Sequence, residues 1–305
     1  MATTTNPLAA NTSSPVSLYD WTGYYTITLV VLQTTQAAAA AALPQGLHLI
    51  PSYGVGGKYP ILLSIGNIED ARPRVKGSLG FNYLEVFSAI PGVELDSSPD
   101  GVVVPYVYPY RGYLNQLIPV VMGRLSGLRK YWERVNVRQS PDDPDGTPNS
   151  ESFEVKSLLF GKPLLDGNYS FPEKLGLAEP NSRIGQMERL LPPNIIGVNP
   201  FGKLCRNIFN FRFDRGLAWD VDQATINIRV AGVIPGIDQP VTIEYPPRNA
   251  LAIVWQSDNR YMPVRAFVPW RLVAGGEVTT GQQTQAVVAA SGSTAPPSAA
   301  SKPGA

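Results

Sequence analysis

Along this chain, runs rich in β-branched and aromatic residues are repeatedly cut short by proline or glycine. "GYYTITLVVLQ" (23–33), "YPILLSIGNI" (59–68), "FNYLEVFSAI" (81–90) and "GVVVPYVYPY" (101–110) are the first four. "ESFEVKSLLFG", "RNIFNFRFDRG", "QATINIRVAGV" and "QPVTIEYPP" continue the pattern in the second half. Side chains branched at Cβ suit a pleated strand, and proline or glycine between runs marks turns. With 29 prolines and 28 glycines in 305 residues there is little room for long helices. "FNFRF" and "TINIRV" alternate apolar and polar residues, as half-buried strands do. The expected fold is mainly β (α+β), a barrel or bent double sheet with a few short flanking helices. One such helix is expected at "TTQAAAAAAL" (34–43), where alanine favours the helix and a threonine can cap its start.

The ends of the chain differ in kind. Residues 1–15 are small and polar, and 276–305 are rich in alanine, serine and proline without aromatics. Neither buries enough surface to order itself, so a single domain is expected over 16–275. "RNALAIVWQSDNRYMPVRAFV" is expected to close that body, with an element on either side of "QSDNRYMP". "SPDDPDGTPNSES" (140–152) reads as a solvated acidic loop, and "GVGGKYP" (54–60) as a turn, because it lacks the ending of a phosphate loop.

Charge and composition narrow the function classes. With 25 basic and 24 acidic residues the net charge is +1, and no basic stripe marks a nucleic-acid surface. "TITLVVLQTTQAAAAAAL" is broken by threonine and glutamine and makes a poor membrane span. With no secretory pattern at the N-terminus, a cytoplasmic protein is expected. A lone Cys205 and a lone His48 supply neither an internal disulfide nor the usual zinc ligands. Cys205 reads as a small core residue, His48 as a hydrogen-bonded core or rim residue. No metal or cofactor is signalled.

The stretch "VMGRLSGLRKYWERV" (121–135) carries the chemical question. On a continuous helix, Val121, Leu125, Leu128, Trp132 and Val135 form one apolar stripe, and Lys130 is a solvated charge on the opposite face. If Gly127 ends the helix and the chain runs on extended, Leu128, Lys130 and Trp132 share a face and the amine lies between two large apolar side chains. "NYLEVFSAI" likewise puts Tyr83, Glu85 and Phe87 on one face of a strand.

Four pieces occur in the chain order of one family. "TTQAAAAAALPQGLHLIP", "NYLEVFSAIPG", "GRLSGLRKY" and "SDNRYMPVRAFV" resemble successive segments of the acetoacetate decarboxylase superfamily, across roughly residues 23–273. The resemblance implies a cone-shaped, mostly antiparallel β-barrel enclosing the active site. It places the Schiff-base lysine on Lys130, the glutamate of the "Y-x-E" strand on Glu85, and the family's glycine-arginine pair on Gly123 and Arg124. This chain departs from the family's "PKK" signature: Arg129 precedes the lysine and Tyr131 follows it. The family's first-strand arginine has no clear counterpart, Tyr24 and Tyr25 lying near its place. A second family glutamate reaches Glu69 only across a forced gap.

The expected function is therefore that of a small-molecule enzyme acting on a keto or polyketide-like substrate. Lys130, Glu85 and Arg124 would be its catalytic residues, with Tyr25, Tyr83, Leu128 and Trp132 binding substrate. Chemistry would be decarboxylation or an aldol or dehydration step through a Lys130 imine. A non-imine cyclase, isomerase or dehydratase on the same barrel is the alternative, as is a non-catalytic binding barrel. Family members often form multimers, so a homo-oligomer is expected.

Overall fold

The computed structural model describes residues 21–269, apart from 74–75, 98–102, 140–149, 171–172, 176–189, 193, 209–216, 221–222, 246–249 and 255–264. The chain divides into two units, Met1–Trp270 and Arg271–Ala305, and every described residue belongs to the first. The terminal segments 1–15 and 276–305, most of the acidic loop, "FNFRF" and "QSDNRYMP" lie outside the described residues.

The architecture is mainly β, in two sheets with few short helices. Three strands of unusual length form its centre: β1 (Trp21–Thr35), β3 (Lys58–Pro73) and β4 (Phe81–Leu95). At 15, 16 and 15 residues they far exceed the usual five or six. Helix α1 (Gln36–Ala41) follows β1, with Thr35 Oγ1 accepting from the Ala38 N–H as its cap. Short strand β2 (Leu47–Leu49) pairs with β4. The "GVGGKYP" segment is a tight turn into β3, with Gly56 and Gly57 at positive φ.

Next come β5 (Tyr106–Leu114), helix α2 (Leu117–Leu125) and β6 (Lys130–Trp132). Strands β7 (Arg134–Gln139), β8 (Ser150–Lys156) and β9 (Pro163–Ser170) follow. The remainder comprises β10 (Glu173–Leu175), β11 (Asn194–Val198), β12 (Leu204–Ile208) and β13 (Leu217–Asp220). It ends with β14 (Gln223–Ile228), β15 (Val241–Tyr245), β16 (Ala250–Val254) and β17 (Arg265–Pro269).

Among the described residues the larger sheet has twelve strands, ordered β10-β13-β16-β1-β3-β4-β5-β11-β12-β17, with β2 on β4 and β6 on β5. The smaller has the order β15-β14-β9-β8-β7. Among the described residues, pairing is antiparallel except where β5 meets β6 and β11.

Alternation along the long strands gives the larger sheet two buried faces. Val30, Leu32, Ile61, Leu63, Ile65 and Val86 point to one side, where Val155, Leu165 and Ile226 of the smaller sheet pack on them. Ile27, Leu29, Leu62, Phe87 and Ala89 point to the other side and gather with Leu128, Leu191 and Ile195. This second face surrounds a cavity. Among the described residues no helix is long and apolar enough to cross a membrane.

Candidate active site

Lys130 owes its position to how α2 ends. The helix stops at Leu125 rather than running on to Arg134. Gly127 takes φ +86°, a conformation that costs glycine nothing but strains other residues. Its N–H bonds to the Arg124 carbonyl at 3.0 Å, and the Leu128 N–H reaches back to the Gly123 carbonyl at 2.8 Å. This pair of bonds is a Schellman motif, which satisfies the last carbonyls and reverses the chain. The turn is then locked from outside. Gly127 and Gly197 of β11 meet backbone to backbone, since a Cβ on either would collide with the other. Asn207 Nδ2 also donates to the Ser126 carbonyl at 2.8 Å.

Beyond the turn the chain is extended, and β6 pairs in parallel with β5, Lys130 opposite Gly112. Two glycines make room for the lysine stem. A Cβ at Gly123 would lie 2.5 Å from Lys130 Cδ, and one at Gly112 would lie 3.6 Å from Lys130 Cγ. The helical stripe therefore never forms: Val121 and Leu125 are exposed, while Leu128 and Lys130 are buried.

At the end of that stem, Lys130 Nζ lies 2.6 Å from Glu85 Oε2. The residues are 6% and 7% exposed, so this is a buried pair rather than a surface one. The Tyr25 hydroxyl donates to Glu85 Oε1 at 3.3 Å and lies 3.5 Å from Ser64 Oγ. Lys130 Nζ also sits 5.7 Å from the centre of the Tyr83 ring, a cation–π distance. Glycine helps here as well: a Cβ at Gly66 would lie 2.6 Å from Tyr25 Cε2, so its absence lets the ring lie across β3 toward Glu85. Burial first, and then the charge of Glu85, push the phenols of Tyr25 and Tyr83 well above their ordinary range. Both are neutral proton donors near neutral pH.

These groups form the polar end of a cavity of about 50 Å³, room for a few waters or a small ligand. The rest of its wall is apolar, from Ile27 and Leu29 on β1, Leu62 and Ile68 on β3, and Phe87 and Ala89 on β4. Among the described residues, no cluster of three or more His, Cys, Asp or Glu side chains is placed to hold a metal ion.

Of the residues singled out in the sequence, Lys130, Glu85, Tyr25, Tyr83 and Leu128 line this cavity together. Arg124 and Trp132 do not. Arg124, in the last turn of α2, is exposed; its Nε donates to the Lys130 carbonyl at 2.6 Å and its guanidinium lies 5.0 Å from the centre of the Tyr131 ring. It holds β6 from outside, on the side away from the amine. Trp132 is 43% exposed, because two residues carry the strand roughly 7 Å past Lys130 and over the cavity's edge. Tyr131 turns to the opposite face, between the guanidiniums of Arg111 and Arg124, each 5.0 Å away. Sequence reasoning missed Ser64, whose one signal was to be the lone polar residue in "ILLSI". It also missed Ile27, Leu29 and Ala89, which stepping by two from Tyr25 and Glu85 would have found. His48 is half-exposed and hydrogen-bonded to Asp96 at 2.8 Å, far in role from the cavity. Cys205 is buried, as expected of a core residue.

The fold is that of the acetoacetate decarboxylase-like enzymes, as the sequence resemblance implied. In particular, the chain is similar to MppR, an enduracididine biosynthesis enzyme solved with pyruvate, with a TM-score of 0.52 and 10% identity over 82% of this chain and 93% of that one. An acetoacetate decarboxylase-like enzyme from Sphingomonas wittichii RW1 has a TM-score of 0.52 and 12% identity, over 78% of this chain and 89% of its own. An acetoacetate decarboxylase gives 0.51 and 13%, over 82% and 89%. At these identities the likeness is one of fold. No family profile and no curated protein sequence matches the chain.

Proposed function

We propose that this protein is an enzyme that takes a small carbonyl compound into the cavity and transforms it through an imine on Lys130. The observation that carries the reading is the Lys130–Glu85 contact inside an apolar pocket. A buried ion pair is a weak way to stabilise a fold, because desolvating both charges offsets their attraction. The same pair is well suited to moving a proton. Transfer from Nζ to Oε2 across 2.6 Å leaves a neutral amine and a neutral acid, with no charge in the apolar surroundings.

The amine nitrogen then attacks the carbonyl carbon; a C–N bond forms and the carbonyl π electrons move to oxygen. Glu85 returns its proton to that oxygen, then carries a second proton from the nitrogen to the resulting hydroxyl. Water leaves as the nitrogen lone pair forms the C=N bond, and a protonated imine remains beside the Glu85 carboxylate. Such an imine withdraws electrons from the neighbouring carbon, which assists loss of carbon dioxide, a proton or an aldol fragment. Tyr25, held protonated, orients the Glu85 carboxyl group by donating its O–H to Oε1. MppR, which has the same fold, has also been solved with a condensation product of pyruvate and imidazole 4-carboxaldehyde, so a protein of this fold can hold a product of carbonyl condensation.

Incubating the protein with a panel of aldehydes, ketones and keto acids in the presence of sodium borohydride tests this. The expected result is a mass increase on the peptide carrying Lys130, absent in Lys130→Met. No adduct across the panel, with Lys130→Met still converting a substrate that the wild type converts, would sink the imine. Turnover would then belong to Glu85 and Tyr25 acting as an acid–base pair.

A further inference from the structure

We propose that the cavity selects an uncharged carbonyl compound, a small aldehyde, ketone or keto ester, over a keto acid. This rests on the imine reading above and goes beyond it by naming the substrate class.

The charge inventory of the pocket points this way. Among the described residues that line it, Lys130 is the sole cation and Glu85 the sole anion, and they are paired at 2.6 Å. The empty site is therefore balanced. A neutral carbonyl preserves that balance. A keto acid adds a second carboxylate, and among the described residues no other cation lines the cavity to receive it. On the lysine's own segment, Arg124 is turned to the Lys130 carbonyl and the Tyr131 ring, and Arg129 to Tyr108 and Tyr110. A carboxylate moved from water into apolar surroundings without a partner pays heavily in lost solvation. Here it would also meet Glu85, a like charge, within a cavity of about 50 Å³. The apolar wall offers contact instead to a short hydrocarbon substituent, and the neutral Tyr83 phenol offers a hydrogen bond to a carbonyl or ester oxygen.

The choice of substrate sets the chemistry. A substrate without a carboxylate has no carbon dioxide to lose. The protonated imine is then used by removing a proton from the neighbouring carbon. The Glu85 carboxylate takes that proton, the C–H electrons form a carbon–carbon double bond, and the imine nitrogen becomes neutral. The resulting enamine carbon bonds to a second carbonyl carbon, whose π electrons move to its oxygen and take the proton back from Glu85. Alternatively the enamine electrons break the bond to a β-hydroxyl, which leaves as water with that proton. Either route restores the protonated imine for hydrolysis. The site is thus one for aldol-type or dehydration steps.

Pairs of an acid and an uncharged analogue of similar shape test this in the full-length protein. Borohydride trapping is measured with pyruvate against methyl pyruvate and 3-methyl-2-butanone, and with acetoacetate against methyl acetoacetate. Each rate is divided by that of Nα-acetyl-lysine under the same conditions, which removes intrinsic carbonyl reactivity. Labelling is mapped to Lys130, with Lys130→Met, its fold checked by circular dichroism, as the blank. At least tenfold preference for the uncharged member of each pair is expected. Equal or faster normalised trapping of the acids overturns the selectivity and leaves the imine reading standing. No adduct on Lys130 with any of the five compounds overturns both.

Discussion

Lys130 reaches the cavity because residue 123 has no side chain. Gly123 sits within α2 with no positive φ to require glycine, and alanine there would favour a helix by about 1 kcal/mol. Yet a Cβ would lie 2.5 Å from Lys130 Cδ and 3.1 Å from Cε. The lysine stem is the movable partner in that clash, so the amine would be pushed off Glu85 while the helix held. Gly123→Ala is expected to leave the melting temperature within about 3 °C of wild type, since 1 kcal/mol shifts a domain of this size by roughly 2–4 °C. Imine trapping should fall at least tenfold. Trapping at the wild-type rate would mean that the amine's placement does not depend on this contact. The same pair illustrates what a sequence can carry. Lys130 and Glu85 were legible as members of two family-like segments, 45 residues apart, but nothing in either segment says they touch. Arg124 matched the family equally well and faces outward. A matched motif fixes a residue's place along the chain, whereas the direction of its side chain depends on neighbours such as Gly66, Gly112 and Gly123.

At the scale of elements, the turn between α2 and β6 is the decisive unit. Gly127 carries φ +86°, and a Cβ would lie 2.9 Å from the Gly197 carbonyl carbon, part of a strand backbone that cannot swing away. Gly127→Ala thus combines left-handed strain of about 1–2 kcal/mol with a steric conflict against β11. The expected outcome in a thermal melt is a drop of about 5 °C or more, together with loss of Lys130 labelling as β6 leaves β5. A melt within 1 °C of wild type would show that the turn tolerates a side chain. Gly127 was visible in the sequence as the residue on which helix or strand would hinge, and its αL cap resolves the choice. Strand ends were less visible. The run 81–90 was legible, but β4 continues through Pro91-Gly92 to Leu95, with a register shift between Ile90 and Val93. Gly92, at φ +62°, turns the bulge and leaves room for the Tyr53 ring. Proline followed by glycine reads locally as a stop; here neighbours on both sides keep the strand paired through it. Pro109 in β5 lies beside a similar shift, between Ser88 and Ala89 on the partner strand, which spares the ladder the hydrogen bond that proline cannot donate.

At the scale of the whole molecule, the smaller sheet keeps one face of the larger sheet dry while the other face wraps the cavity. Its own cohesion therefore bears on the entire fold. Asp166 of β9 ties this sheet across strands. It accepts from Arg229 Nε at 2.7 Å and from Asn227 Nδ2 at 2.7 Å, and Thr242 Oγ1 of β15 extends the network to Asn227 Oδ1 at 2.7 Å. Burial alone would push the Asp166 carboxyl up. The Arg229 hydrogen bond, the Asn227 hydrogen bond and the Arg229 charge together outweigh it and hold the group below its usual value. A carboxyl whose folded pKa is depressed binds its proton less tightly folded than unfolded. Its stabilising effect is complete above the unfolded value of about 3.9 and disappears as pH falls through the folded value. Asp166→Asn should thus melt below wild type at pH 7, and the gap should close as pH falls below about 4 and the wild-type carboxyl takes up its proton. Trapping at Lys130, on the far face of the larger sheet, should be unchanged at pH 7 in the folded variant. A gap that stays constant across this range would mean the carboxylate's charge contributes nothing, and that hydrogen bonding common to Asp and Asn holds the smaller sheet together.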